Sequence, residues 1–231
     1  MTIQIEIENT VSSLSNFSSN GSVNFFKRLL SAIIIVPLII LPVILEGYFL
    51  IIIYLLLLTF IVDELFNIIR NSRNKIFPYI YLIITFFTFI NFIILLMTHN
   101  IKELFIIIIL IIWIFDTFSY LGGSIIKGKK IFPKISKGKT YSGLFSGIIA
   151  VTIIYFLVFN FLNLDYQTPY YFVITIAALS FIGDALVSLL KRSASLKDSG
   201  NAIPGHGGFL DRMDSFIFVF FLIGVFHQLV E

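Results

Sequence analysis

Cysteine is absent from the 231 residues, which rules out a disulfide framework, a thiol nucleophile and a thiolate metal site. Charge is nearly as scarce. Only 13% of the residues are charged against 58% hydrophobic, and mean hydropathy is +1.00, whereas a soluble domain carries about 25% charged residues. A chain so poor in charge has no surface to show to water, so a soluble enzyme, a secreted module and a disordered tail are excluded. Alternating apolar–polar strands are missing, which excludes a membrane β-barrel, and no internal repeat stands out. The net charge is only +3, so the position of the charges matters more than their sum. What remains is an all-α, polytopic membrane protein.

A helix needs about 20 mainly apolar residues to cross the hydrocarbon core. Such runs lie near 29–46, 47–62, 77–98, 103–123, 143–163, 169–190 and 209–230, predicting a bundle of about seven transmembrane helices. The first two are short and separated only by Glu46-Gly47, so they read as two spans or as a re-entrant pair. Pro37 and Pro42 in the first are tolerable in a membrane helix. Residues 1–24 are Ser- and Asn-rich and carry no basic n-region, and no small-residue cleavage site precedes the first span, so 1–28 read as a cytosolic tail and not a signal peptide; 29–231 are expected to form the membrane-embedded domain. With the N-terminus cytoplasmic, 15 of the 16 Lys and Arg residues fall on the inner side and Lys102 alone outside. The positive-inside rule then fixes the topology, and losing one span would reverse every later loop.

Two inner segments are richer than topology needs. Between Gly122 and Gly143 stand six Lys with several Gly and Ser and no acid. This is a positive-inside anchor that attracts anionic lipid, or a loop whose glycines let backbone wrap around phosphate. Between Ser188 and Asp214, Lys191, Arg192, Lys197 and Arg212 stand beside Asp198, Asp211 and Asp214, with His206 between glycines. Carboxylates hold hard cations that bridge phosphate oxygens, and Lys and Arg neutralise charge that develops during phosphoryl or nucleotidyl transfer. The alternative is a solvated loop with incidental ion pairs.

Helical spacing adds two intramembrane acids. Asp184, Ser188 and Lys191 fall at i, i+4 and i+7, hence on one face, and Asp184 lies seven residues before Lys191, roughly 10 Å below the boundary at 1.5 Å per residue. Asp116 holds a similar depth, seven residues before Gly123. A carboxylate inside a membrane is costly and marks a functional site by default, the alternative being a structural partner for a hydroxyl or Lys. Asp211 and Asp214, at i and i+3, can face one ion. Gly207 and Gly208 precede the last helix, which is expected to leave its first N–H groups open to phosphate. His206 reads as a phosphate donor, a general acid or a loop-capping residue.

The second segment resembles the signature of the phosphatidate cytidylyltransferases, also called CDP-diacylglycerol synthases. Ser188, Leu190, Lys191, Arg192, Lys197, Asp198, Gly200, Ile203, Pro204, His206, Gly207, Gly208, Phe209, Asp211, Arg212, Met213 and Asp214 fit it. The Gly183-Asp184 pair, Asp116-Thr-Phe-Ser-Tyr120 and Lys139-Thr140 are similar to the family too, while the first half of the chain resembles it only loosely. Ser142 and Val187 stand where the family tends to have Glu, and relatives are usually longer by about two spans upstream of Asp116.

The resemblance implies transfer of the cytidylyl group of CTP to phosphatidic acid, giving CDP-diacylglycerol and pyrophosphate, with Mg²⁺ required and K⁺ as an assisting monovalent cation. It implies Asp184 and Asp211 as metal ligands. Lys191, Arg192, Lys197, Asp198, His206, Arg212 and Asp214 form the catalytic set, and Asp116, Lys139, Thr140, Ser188, Gly207 and Gly208 the substrate-binding set. The expected setting is a homodimer in the cytoplasmic membrane of a bacterium, facing the cytosol, with no nucleic-acid partner. The competing readings are a CTP-dependent lipid kinase, a CDP-alcohol phosphotransferase, whose Asp-Gly…Ala-Arg spacing is absent, and an ion-coupled transporter. A transporter would place its polar groups near the midplane and often shows inverted repeats.

Overall fold

A computed structural model describes residues 40, 43–44, 47–98, 102–136, 138–162, 170–200, 202 and 207–230. Among them six helices follow one another: α1 (Gly47–Asn71), α2 (Ile76–Thr98), α3 (Lys102–Ile125), α4 (Tyr141–Leu162), α5 (Tyr170–Ser193) and α6 (Leu210–Val230). Within the first five, the stretches Tyr48–Asn71, Ile76–Met97, Glu103–Ile125, Tyr141–Val158 and Tyr170–Ser193 are long and apolar enough to cross a membrane. The protein is a multi-pass helical bundle. The tail 1–28 and nearly all of the run at 29–46 lie outside the described residues.

The second run differs from expectation. It does not end at residue 62: α1 is one helix of 25 residues, about 37 Å at 1.5 Å per residue, and so is long enough to span a bilayer by itself. Asp63 and Glu64 look like the end of a span, yet the apolar spacing continues through them. Leu50, Tyr54, Leu57, Ile61, Leu65 and Ile68 are buried on one stripe, while Phe49, Ile52, Leu56 and Phe60 are exposed on the other, as a helix apolar all round requires when its outer face meets lipid.

Away from the site the core is aromatic. Phe92 meets Tyr54 at 4.9 Å, Phe105 at 4.5 Å, Phe216 at 5.4 Å and Phe220 at 5.1 Å between ring centroids, mostly in the edge-on arrangements that ring quadrupoles favour.

Two seams between helices set the positions of the polar groups. The most extensive helix–helix contact, α3 on α4, is built from small residues. A side chain added at Gly143 would lie 2.6 Å from the carbonyl of Ser119, and one at Gly147 2.7 Å from Ser119 Oγ; Ser119 Oγ also donates to the Gly143 carbonyl at 3.0 Å. The α5–α6 seam closes at Gly183, where a Cβ would meet the Asp214 carbonyl and Phe218 Cβ, each at 2.9 Å. Ser215 Oγ donates across that seam to the Ser180 carbonyl at 3.1 Å.

The C-terminal ends of α1 and α5, the loop 126–140 and the start of α6 meet at one end of the bundle. Ser72 Oγ lies 3.2 Å from Ser193 Oγ, and Arg192 Nε donates to the Ile135 carbonyl at 3.0 Å. The loop is folded back on itself: Ile131 N donates to Lys139 O at 2.9 Å and Tyr141 N to Lys129 O at 3.1 Å. Thr140 caps α4, its Oγ1 accepting from Gly143 N at 3.1 Å, the hydroxyl satisfying one of the helix's open N–H groups.

Candidate active site

A cavity of about 310 Å³ opens at this end, with Asp116 and Ser119 from α3, Lys139 and Thr140 from the basic loop, Asp184 and Phe181 from α5, and Asp211, Arg212 and Asp214 from α6 on its walls. The groups picked out far apart in sequence therefore converge. The α5–α6 seam is what aligns them, because Gly183 permits the close crossing that sets Asp184 beside the first turn of α6.

Lys139 is the pivot on one side. Its Nζ lies 2.7 Å from Asp184 Oδ2, donates to the Phe181 carbonyl at 3.1 Å and sits 4.5 Å from the centre of the Phe181 ring, a cation–π contact. Ser188 Oγ donates to Asp184 Oδ1 at 3.4 Å, as the i, i+4 spacing requires. Asp116 Oδ1 accepts from Ser180 Oγ at 3.1 Å. Asp214 Oδ1 accepts from Ser215 N at 2.8 Å.

On the other side Asp211 is held from three directions. Lys191 Nζ approaches Oδ1 at 2.6 Å, and Oδ2 accepts from Ser199 N at 3.0 Å and Gly208 N at 3.1 Å. Lys191 meets the cavity through this pair and is not itself on its walls. Arg192 braces the segment, with Nη1 donating to Leu196 O at 2.7 Å and Nε reaching the basic loop. Lys197 and Asp198 are exposed and do not line the cavity. Gly207 takes a positive φ of 82°, a backbone state that glycine adopts at little cost. His206 lies outside the described residues.

One expectation needs correction. The first N–H groups of α6 do not stand open to phosphate. Phe209 N and Leu210 N each donate to Glu64 at 2.9 Å, and Gly208 N is taken by Asp211. Protein carboxylates occupy the positive end of the helix dipole, so these N–H groups are not free to take phosphate. Gly208 serves close packing instead, because a Cβ there would collide with Glu64 Oε2 and Ser199 Oγ.

Glu64 is the residue that sequence reasoning missed. It is only 6% exposed, and Ser199 Oγ adds a third donor at 2.7 Å. The available signal was an acid inside an apolar helix, the same signal that marked Asp116 and Asp184. The two departures from the family pattern also find places. Ser142 Oγ donates to the Lys127 carbonyl at 2.5 Å, closing the basic loop, and Val187 is fully buried in the apolar core.

Asp116, Asp184, Asp211 and Asp214 offer hard oxygen donors of the kind that hold Mg²⁺. As they stand, no three acids among the described residues close on one point. The Asp184 side chain, though engaged by Lys139 and Ser188, is 41% exposed, whereas that of Asp211 is 8% exposed and shares its oxygens with Lys191 and the loop. The donor chemistry fits a hard cation held at Asp184 with help from the first turn of α6.

The cytidylyltransferase family model matches residues 77–230. The chain is similar to the phosphatidate cytidylyltransferase of Rickettsia conorii, 34% identical over 202 residues covering 84% of this chain and 87% of the relative. It resembles that of Rickettsia bellii at 32% over 218 residues, 88% of this chain and 92% of the relative. That of Staphylococcus epidermidis is 38% identical over 118 residues, half of this chain and 45% of the relative.

Proposed function

The chain belongs to the cytidylyltransferase family, and from that premise we propose that it transfers the cytidylyl group of CTP to phosphatidic acid, releasing pyrophosphate and forming CDP-diacylglycerol. The observation that carries the reading is the single cavity that joins Asp116, Asp184, Asp211 and Asp214 with Lys139 and Arg212 at one end of an otherwise apolar bundle. A water-soluble nucleotide and a lipid headgroup can both reach such a place.

In this reading a phosphate oxygen of phosphatidic acid attacks the α-phosphorus of CTP. A new P–O–P bond forms, the α–β bond breaks, and pyrophosphate leaves with the electron pair. The attacking oxygen is already anionic, so no strong general base is needed, and catalysis reduces to positioning and charge neutralisation. Lys139 and Arg212, both on the cavity walls, neutralise phosphate oxygens. Lys191 holds Asp211, and Arg192 keeps the basic loop against the signature segment. Asp184 and Asp211, supported by Asp214, would hold Mg²⁺, which supplies positive charge against the triphosphate when bound. K⁺ as a second cation, a homodimeric state, and a cytosol-facing site in the bacterial cytoplasmic membrane complete the proposal. With seven spans and a cytoplasmic N-terminus, 15 of the 16 Lys and Arg residues fall on one side, a distribution that supports that orientation.

The test is pyrophosphate release by the purified protein in lipid nanodiscs with CTP, Mg²⁺ and phosphatidic acid. We expect CDP-diacylglycerol in equal amount with pyrophosphate, and a marked preference for CTP over ATP and GTP. Release of CDP with a newly phosphorylated lipid would point to a lipid kinase, and no turnover by folded protein would overturn the reading.

A further inference from the structure

Glu64 belongs to α1, outside the residues 77–230 that match the family model, yet its carboxylate is built into the catalytic segment. Oε2 accepts from Ser199 Oγ at 2.7 Å and from Leu210 N at 2.9 Å, and Oε1 from Phe209 N at 2.9 Å. Both oxygens are thus engaged with groups 135 to 146 residues away in sequence. The segment is shaped to receive it. A Cβ at Gly200 would lie 2.8 Å from Glu64 Oε1, and one at Gly208 would collide with Oε2. Phe60, one turn earlier on α1, stacks on Phe209 at 5.0 Å.

We propose that Glu64 is a positioning residue for the transfer reaction: it anchors the start of α6 and the Ser199 turn, and so sets where Asp211, Arg212 and Asp214 stand. The physical basis is a carboxylate at a helix N-terminus. It satisfies N–H groups that have no partner within the helix, interacts favourably with the dipole, and makes charge-assisted hydrogen bonds, roughly twice as strong as neutral ones. Ser199 is pinned twice, by its Oγ to Glu64 and by its N to Asp211 Oδ2, so Glu64 and Asp211 hold one turn together. Glu64 does not line the cavity. Its effect on the reaction passes through the residues it places.

This inference rests on the proposed reaction for its kinetic readout, and hydrogen exchange provides one that does not. The full-length protein in nanodiscs is compared with Glu64→Gln and Glu64→Ala. Gln keeps the shape and one acceptor oxygen, whereas Ala keeps neither. We expect kcat per folded molecule to fall at least tenfold in Glu64→Ala and about threefold in Glu64→Gln. The KM for phosphatidic acid is expected to stay within twofold, and Glu64→Gln to recover part of the rate lost in Ala. Amide protection at Phe209 and Leu210 is expected to drop at least tenfold in Glu64→Ala. A kcat per folded molecule within twofold of the parent in both variants would overturn the proposal, even if thermal stability fell. Unchanged amide protection at Phe209 and Leu210 would overturn it too. If the parent protein itself shows no transfer, the reaction assignment fails, and the exchange experiment alone decides whether Glu64 holds the start of α6.

Discussion

Asp211→Asn is expected to lower turnover by at least about a thousandfold, equivalent to about 4 kcal/mol of lost transition-state stabilisation, while the protein still inserts into the membrane. The carboxylate uses one oxygen for Lys191 and the other for two backbone N–H groups. An amide has only one acceptor oxygen. If that oxygen keeps the loop, the NH₂ group faces the Lys191 ammonium, donor against donor. If it keeps Lys191, Ser199 N and Gly208 N lose their acceptor. Breaking a buried charge pair by changing one partner costs about 3–5 kcal/mol, and the proposed ion loses a ligand in the same step. Pyrophosphate release gives the activity, and protease accessibility of intact vesicles reports insertion. Activity within tenfold of the parent would remove Asp211 from the reaction centre.

Gly183→Leu is expected to damage both stability and activity. A side chain there meets the Asp214 carbonyl, Phe218 Cβ and, at 3.1 Å, Ser215 Cα. Two of these are backbone atoms and cannot swing aside, so α5 and α6 must part. Overpacking of this sort costs about 1–3 kcal/mol, a fall in Tm of roughly 5 °C for a chain of this size. Parting the helices also moves Asp184 away from Asp214 and Arg212, so kcat should fall at least tenfold in the molecules that remain folded. Thermal unfolding in detergent and pyrophosphate release measure the two effects separately. Gly183→Ala should show a weaker form of both, since the Cβ alone already makes the contact.

Much of the site could be seen in the sequence because charge is so rare in it. Asp116 and Asp184 stood out against apolar helices, and the signature segment supplied Lys191, Asp211, Arg212 and Asp214. The helical register correctly joined Asp184 to Ser188. What could not be read were partnerships across helices. Nothing in the spacing says that Lys139, rather than another of the six loop lysines, reaches Asp184. Nothing near Gly207 and Gly208 says that the N–H groups beyond them are already spoken for. Glu64 was hidden because Asp63-Glu64 resembles the polar edge of a span. Its partners lie more than 130 residues away, so only the packing of α1 against α6 shows that the acid points inward. The length of α1 was misjudged for the same reason.

The α3–α4 seam has a consequence for the environment the protein needs. Lipid tails are as apolar as the side chains they would replace, so a helix pair in a bilayer gains little from the hydrophobic effect and depends on close van der Waals fit and hydrogen bonds. The Ser119–Gly143 bond and the small residues at Gly143 and Gly147 provide both. Contacts of that sort make no demand on acyl-chain length or headgroup. The wall that carries Asp116 and the wall that carries Thr140 therefore stay joined whether the protein sits in a thick bilayer, a thin one or a detergent micelle, and a change of host membrane is felt at the outer faces of the helices before it is felt at the reaction centre.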